Sequence, residues 1–247
     1  MVLVCGISFI SRSYDVGSAG PSTSNGYRPL VLPENSEVLY EKAAPIYHLV
    51  KTNGSLNLEN TDEYSRLYLS ETDHENSDAY ARILFSEEDP SNKTPCDISS
   101  YDVFKYEFDL SFSLRHVLNC DFYTILGNTY DDRYLFRASY FDLTNSGYLV
   151  SGMLKDKMVL TSNKLERIEV DHDAHMEFIC AYNREDPTNS RFQIKINDQL
   201  YYDSVFSEEP CFAGDFSGIF EIRFRFFESS YDSDLIVSNL KVTGYNY

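Results

Sequence analysis

The segment EVDHDAHMEF, residues 169–178, holds the densest group of metal-ligating side chains in the sequence: Asp171, His172, Asp173 and His175. In an extended chain alternate residues share a face. Asp171, Asp173 and His175 are therefore the candidate ligands for one cation, with calcium the ion that such carboxylates would favour and His172 on the opposite side. A metal site needs several ligands held in fixed geometry, and nothing downstream supplies an evident fourth. A turn with solvated carboxylates leading into a strand explains the same residues, and no cofactor is expected.

A second pair with chemical potential is Glu107 and Asp109 in YEFDLSFS. Two carboxylates on one face of a strand can serve as the acid and nucleophile of retaining glycoside hydrolysis. No third carboxylate accompanies them in this segment, and a solvent-facing strand edge accounts for both residues. No Ser/His/Asp grouping and no phosphate-binding glycine loop can be assembled, so the expected protein is not an enzyme. The segments ETDHENSD and SEEDPSNKTP read as acidic surface loops, and Asp232 and Asp234 in SSYDSD offer only weak calcium candidates. Asn53 and Asn92 lie in Asn-x-Ser/Thr triplets and are read as chance matches.

The elements that must position these residues are strands. YEFDLSFS alternates Tyr106, Phe108, Leu110 and Phe112 with Glu107, Asp109, Ser111 and Ser113, the pattern of a half-buried antiparallel strand. HMEFICAYN repeats it with Met176, Phe178, Cys180 and Tyr182. GIFEIRFRFF repeats it with Phe220, Ile222, Phe224 and Phe226 inward and Glu221, Arg223 and Arg225 outward. RFQIKINDQLYYD reads as a hairpin turning at Asn197 and Asp198, residues that tolerate left-handed backbone, and TNSG before Tyr148 reads as another. About a dozen such strands, without an amphipathic helix, predict an all-β fold: an antiparallel two-sheet jelly-roll sandwich over residues 48–247. Residues 1–47, rich in Gly, Ser and Pro and lacking sustained periodicity, read as an extended N-terminal arm or linker.

The chain has 247 residues, 43% of them apolar, enough for one full core. Its core must rest on 17 Phe, many of the 20 Tyr and the aliphatic residues, because Trp is absent. The formal charge of −18 repels phosphate backbones and anionic lipid, so nucleic acid and membrane are not expected partners. The five cysteines are widely spaced and form no Cys-x-x-Cys pair, which indicates neither a zinc cage nor a disulfide framework; Cys180 reads as a core side chain. The opening MVLVCGISFI lacks the basic residues of a signal peptide, so synthesis in the cytoplasm is expected.

The strands of the last third resemble the concanavalin A-like jelly roll, and more narrowly laminin-G-like domains. The resemblance lies in His175–Asn183, in Ile194–Asp198 and in Ser238–Val242, with GSLNLENTDEYSRLYLS similar to the family's first strands. Asp198 stands where the family has a turn glycine. The resemblance implies a fold shared by lectins, glycosidases, lyases, adhesion modules and virion proteins. Together with the arm, it leads to the expectation of a non-enzymatic sandwich acting by surface contact in a larger assembly. A virion surface or fibre protein that meets neighbouring subunits through its arm, and also binds glycans, fits best. A stand-alone lectin-like module is the alternative, and a glycoside hydrolase or lyase of the same fold is the third.

Overall fold

A computed structural model describes residues 28–50, 56–70, 80–85, 94–112, 119–128, 133–142, 147–155, 158–168, 173–186, 189–204, 217–226 and 234–247. Among these residues the regular structure is sixteen strands in two antiparallel sheets. The first sheet holds β1 (Asn35–Lys42), β3 (Leu56–Asn60), β4 (Ser65–Leu69), β7 (Val103–Phe112), β12 (Asp173–Ala181), β13 (Arg191–Ile196), β14 (Gln199–Asp203) and β16 (Asp234–Asn246). The second holds β2 (His48–Val50), β5 (Tyr80–Leu84), β6 (Cys96–Asp97), β8 (Asn119–Gly127), β9 (Arg133–Asp142), β10 (Gly147–Lys155), β11 (Met158–Ile168) and β15 (Gly218–Phe226).

The first sheet runs β14-β13-β12-β7-β16-β4-β3, and the second β11-β10-β9-β8-β15-β5-β2. Strand β7 lies between β12 and β16, so both of its edges are paired. Its inward residues Phe104, Tyr106, Phe108 and Leu110 join Met176 and Phe178 of β12 and Ile222, Phe224 and Phe226 of β15 in one core. Tyr106 and Phe178 stack with centroids 4.7 Å apart, and Phe108 meets Phe224 of the other sheet edge to face at 5.7 Å, geometries that aromatic pairs prefer. The Tyr106 hydroxyl crosses the core to the Thr124 hydroxyl at 2.8 Å, so its one polar atom is satisfied. Burial raises the Tyr106 pKa and keeps the phenol neutral. Cys180 is a fully buried core thiol, as its place in HMEFICAYN implies.

Two expectations need correction. Residues 1–47 are not a single arm, because Asn35–Lys42 pairs with β16 along most of its length. Its residues are too exposed and polar for a period-2 signal, since an edge strand over solvent has little to bury. Ahead of it, Leu30 and Leu32 pack on Val103, Ile179 and Ala181 of the first sheet's outer face, and Arg191 donates to the Arg28 carbonyl at 2.8 Å. Residues 1–27 lie outside the described residues. On β15 a register shift between Ile219 and Glu221 puts Ile219 rather than Phe220 into the main core. Glu221, expected to face solvent, is fully buried.

The hairpin β13–β14 turns where the sequence places it. Asn197 and Asp198 have φ of 50° and 65°, the two left-handed positions of a two-residue turn. The turn is also tied to β12: the Asn197 side chain accepts from the His175 amide at 2.8 Å, and the Asn197 amide donates to the His175 carbonyl at 2.9 Å. The TNSG turn lies outside the described residues. Replacing Asn197 by Val should cost about 1–2 kcal/mol in urea unfolding from left-handed strain, with the lost acceptor adding to it. Asn197→Gly should recover the strain component alone; an unchanged midpoint for Val would refute the assignment of the turn.

Candidate functional site

Because core residues of β7 and β12 point inward, their alternate residues share the first sheet's outer face. Antiparallel register sets His175 opposite Asp109 and Glu177 opposite Glu107. The carboxylate pair noted in YEFDLSFS and the histidine noted in EVDHDAHMEF are thus parts of one cluster. His175 Nδ1 meets Asp109 Oδ1 at 2.6 Å, and its Nε2 lies 3.4 Å from Glu107 Oε2. Lys105 Nζ donates to Glu107 at 2.5 Å and to Glu177 at 2.9 Å. Asp109 also accepts from Asn239 Nδ2 at 2.8 Å.

The cluster has a closed end and an open end. Lys105, Glu107 and Glu177 are largely buried, whereas the side chains of His175 and Asp109 remain 39% and 41% exposed. Glu107, His175 and Glu177 bring ligand atoms within 4.8 Å of one another, the spacing a cation would need. The Lys105 ammonium already bridges the two glutamates there, so the closed end carries its own counter-charge. Of the expected metal set, Asp173 is exposed opposite Ser111 on the same face as His175, and Asp171 lies outside the described residues. His175 meets carboxylates from the neighbouring strand, a pairing that only register reveals. Of the other calcium candidates, Asp234 is bound to Arg66 at 2.9 and 3.0 Å, and Asp232 lies outside the described residues.

Asn239 connects the open end to an open polar depression of about 410 Å³ lined by Ala43, Asp62, Glu63, Tyr64, Ile236, Ser238 and Asn239. Its walls are fixed by hydrogen bonds. In the β3–β4 turn the Thr61 hydroxyl accepts from the Glu63 and Tyr64 amides at 3.2 and 3.1 Å, while the Thr61 amide donates to the Tyr64 carbonyl at 3.0 Å. Asn239 interrupts β16 with φ of 55° where the register shifts between Ser238 and Lys241, and its amide donates to the Ala43 carbonyl at 2.9 Å. An aromatic ring beside carboxylate, amide and hydroxyl groups suits a ligand with apolar faces and many hydroxyls. Sequence patterning missed this depression because its residues come from three separate segments; a left-handed Asn inside a strand is the one local signal.

No protein-family model matches the sequence, and no curated protein matches it. Among solved structures, the chain is similar to a legume lectin-like domain from Entamoeba histolytica, with 8% identity, a TM-score of 0.52, and coverage of 85% of this chain and 97% of that one. It is also similar to the potassium-bound carbohydrate recognition domain of Emp46p, with 9% identity, a TM-score of 0.48, and coverage of 79% and 87%. A mutant of alginate lyase Aly36B in complex with alginate tetrasaccharide gives 14% identity, a TM-score of 0.48, and coverage of 86% and 97%. At such identities the likeness to the first of these is one of fold.

The His175 pKa is raised: burial acts to lower it, but the hydrogen bond to Asp109 and the charges of Asp109, Glu107 and Glu177 outweigh burial. A raised folded-state pKa stabilises the fold fully below the unfolded value and loses that contribution as pH climbs through the folded value. The melting temperature of wild type should therefore exceed that of His175→Gln by more at about pH 6 than at about pH 9. A pH-independent difference would show that His175 does not titrate against these carboxylates.

Proposed function

We propose that this concanavalin A-like jelly-roll sandwich is a non-enzymatic carbohydrate-binding protein, and that the depression beside Tyr64 is where it holds a sugar. The observation that carries the reading is the depression itself. It sets an aromatic ring next to Asp62, Ser238 and Asn239, so a sugar ring can stack while its hydroxyls pair with polar groups. Asn239 is held before any ligand arrives by its bonds to Asp109 and to the Ala43 carbonyl, which lowers the entropic cost of binding. Turnover by the nearby carboxylates is disfavoured by their partners. Both carboxylates of the pair are already engaged within the protein, Glu107 by Lys105 and Asp109 by His175 and Asn239.

A narrower form of the reading places the chain in a larger assembly, such as a virion surface, with subunit contacts through the N-terminal segment. Val31, Val38 and Tyr247 favour it: all three are large apolar residues left exposed, and the Tyr247 hydroxyl reaches the Val31 carbonyl at 3.4 Å.

On a glycan array, the sugar that wild type retains should bind Tyr64→Ala about tenfold or more weakly, and Tyr64→Phe nearly as well as wild type, with melting temperatures preserved. Equal retention by the alanine variant would remove the depression from the reading. For the assembly form, light scattering of the full chain beside its Val31→Glu, Val38→Glu double variant should show association in the unsubstituted chain alone. Two identical monomers would count against it.

A further inference from the structure

The side-chain amide of Asn239 can present an oxygen or an amino group to its surroundings, and its neighbour decides which. A carboxylate offers only acceptors, so the amide turns Nδ2 toward Asp109 Oδ2, at 2.8 Å. The other Asp109 oxygen is taken by His175 Nδ1 at 2.6 Å. The Asn239 carbonyl oxygen is thereby turned away from Asp109, and it is the acceptor that this residue offers to the depression it lines.

The rest of the lining has the same polarity. The backbone amides of Glu63 and Tyr64 are spent on the Thr61 hydroxyl oxygen, and that of Asn239 on the Ala43 carbonyl. Asp62 and Glu63 are exposed, and among the described residues neither carboxylate has a hydrogen-bond or ion-pair partner. The Tyr64 and Ser238 hydroxyls can act either way. No lysine or arginine lines the depression, and the cations around it are engaged elsewhere. Arg66 holds Asp234 at 2.9 Å and Glu59 at 3.5 Å, Lys42 lies 4.8 Å from the centre of the Tyr47 ring, and register sets Lys241 between Glu41 and Glu107.

We propose that the ligand of this depression is an amino sugar with a free amine. An ammonium group brings three donors and a positive charge to a lining rich in acceptors and without a cation of its own, and its hydrogen bonds to carboxylates are of the strong, charge-assisted kind. The Tyr64 ring suits the same ligand twice, since its face stacks on a sugar ring and attracts a cation. The formal charge of −18 draws a cationic sugar toward the surface. An acetylated amine has lost the charge, and a hydroxyl in its place supplies one donor and no charge. The sugar part of the ligand rests on the proposed function; the amine follows from the polarity of the lining.

The test is calorimetry of the full chain at about pH 6, where such an amine carries its proton, with a glucosamine trimer, with the same trimer N-acetylated, and with cellotriose, its glucose counterpart. Wild type should bind the glucosamine trimer about tenfold or more tightly than either of the others. The advantage should shrink in the Asp62→Asn, Glu63→Gln double variant, which alters only exposed side chains, and in Asn239→Gly, which accepts the left-handed backbone and removes the amide. Tyr64→Ala should weaken all three trimers alike, and spermidine, a polyamine without a sugar face, should not displace the glucosamine trimer at equal concentration. Melting curves establish that each variant is folded. Equal binding of the three trimers by wild type, an advantage unchanged in either carboxylate or amide variant, or displacement by spermidine overturns the inference; the depression stands in each case if Tyr64→Ala still weakens binding. A glucosamine advantage that Tyr64→Ala leaves untouched overturns the depression and the inference with it. If no trimer binds while the array retains another glycan through Tyr64, the amine falls and the depression stands; if the array retains nothing either, both fall.

Discussion

The alternation of β7 is the constraint on which the rest of the structure depends. Both of its edges are paired, so its side chains can go only inward or outward, and a slip of one residue would exchange the two sets. Inward, Tyr106 and Phe108 link the sheets through Phe178, Phe224 and Thr124. Outward, Lys105, Glu107 and Asp109 meet Glu177 and His175. The aromatic core and the polar cluster are two consequences of one register, and the core fixes the positions from which the cluster is built.

Burial of apolar area favours that register far more strongly than the charges resist it. Phe104, Tyr106, Phe108 and Leu110 are all almost fully buried, and each large apolar side chain removed from water contributes about 1.5–3 kcal/mol. The outward charges must then find partners in the places left to them. Lys105 between two glutamates and Asp109 between His175 and Asn239 are the resulting arrangement, with every charge facing an opposite one or a hydrogen-bond donor. The second sheet solves the same problem differently, by burying Glu221 among arginines.

The two outer faces therefore differ in chemical character. One carries carboxylates and amides beside an aromatic depression whose walls are hydrogen-bonded to the frame. The other concentrates guanidinium groups on neighbouring strands. A sandwich offers two such faces, and composition alone, with a large acidic excess spread along the chain, hides the contrast between them.

The sequence by itself determined the two-sheet fold class, because period-2 alternation in YEFDLSFS, HMEFICAYN and GIFEIRFRFF is a local property that burial enforces. It also determined the turn at Asn197 and Asp198, where residue type and left-handed backbone go together. It flagged His175, Glu107 and Asp109, but as members of separate motifs. Tertiary structure alone decided that they meet, since cross-strand partners are set by the register between segments more than sixty residues apart. It alone made a strand of Asn35–Lys42, whose stability comes from hydrogen bonds to β16 rather than from apolar periodicity. It alone buried Glu221 and aligned Arg82 with Arg223, because whether a charge on a strand faces water depends on what the neighbouring strands bring beside it.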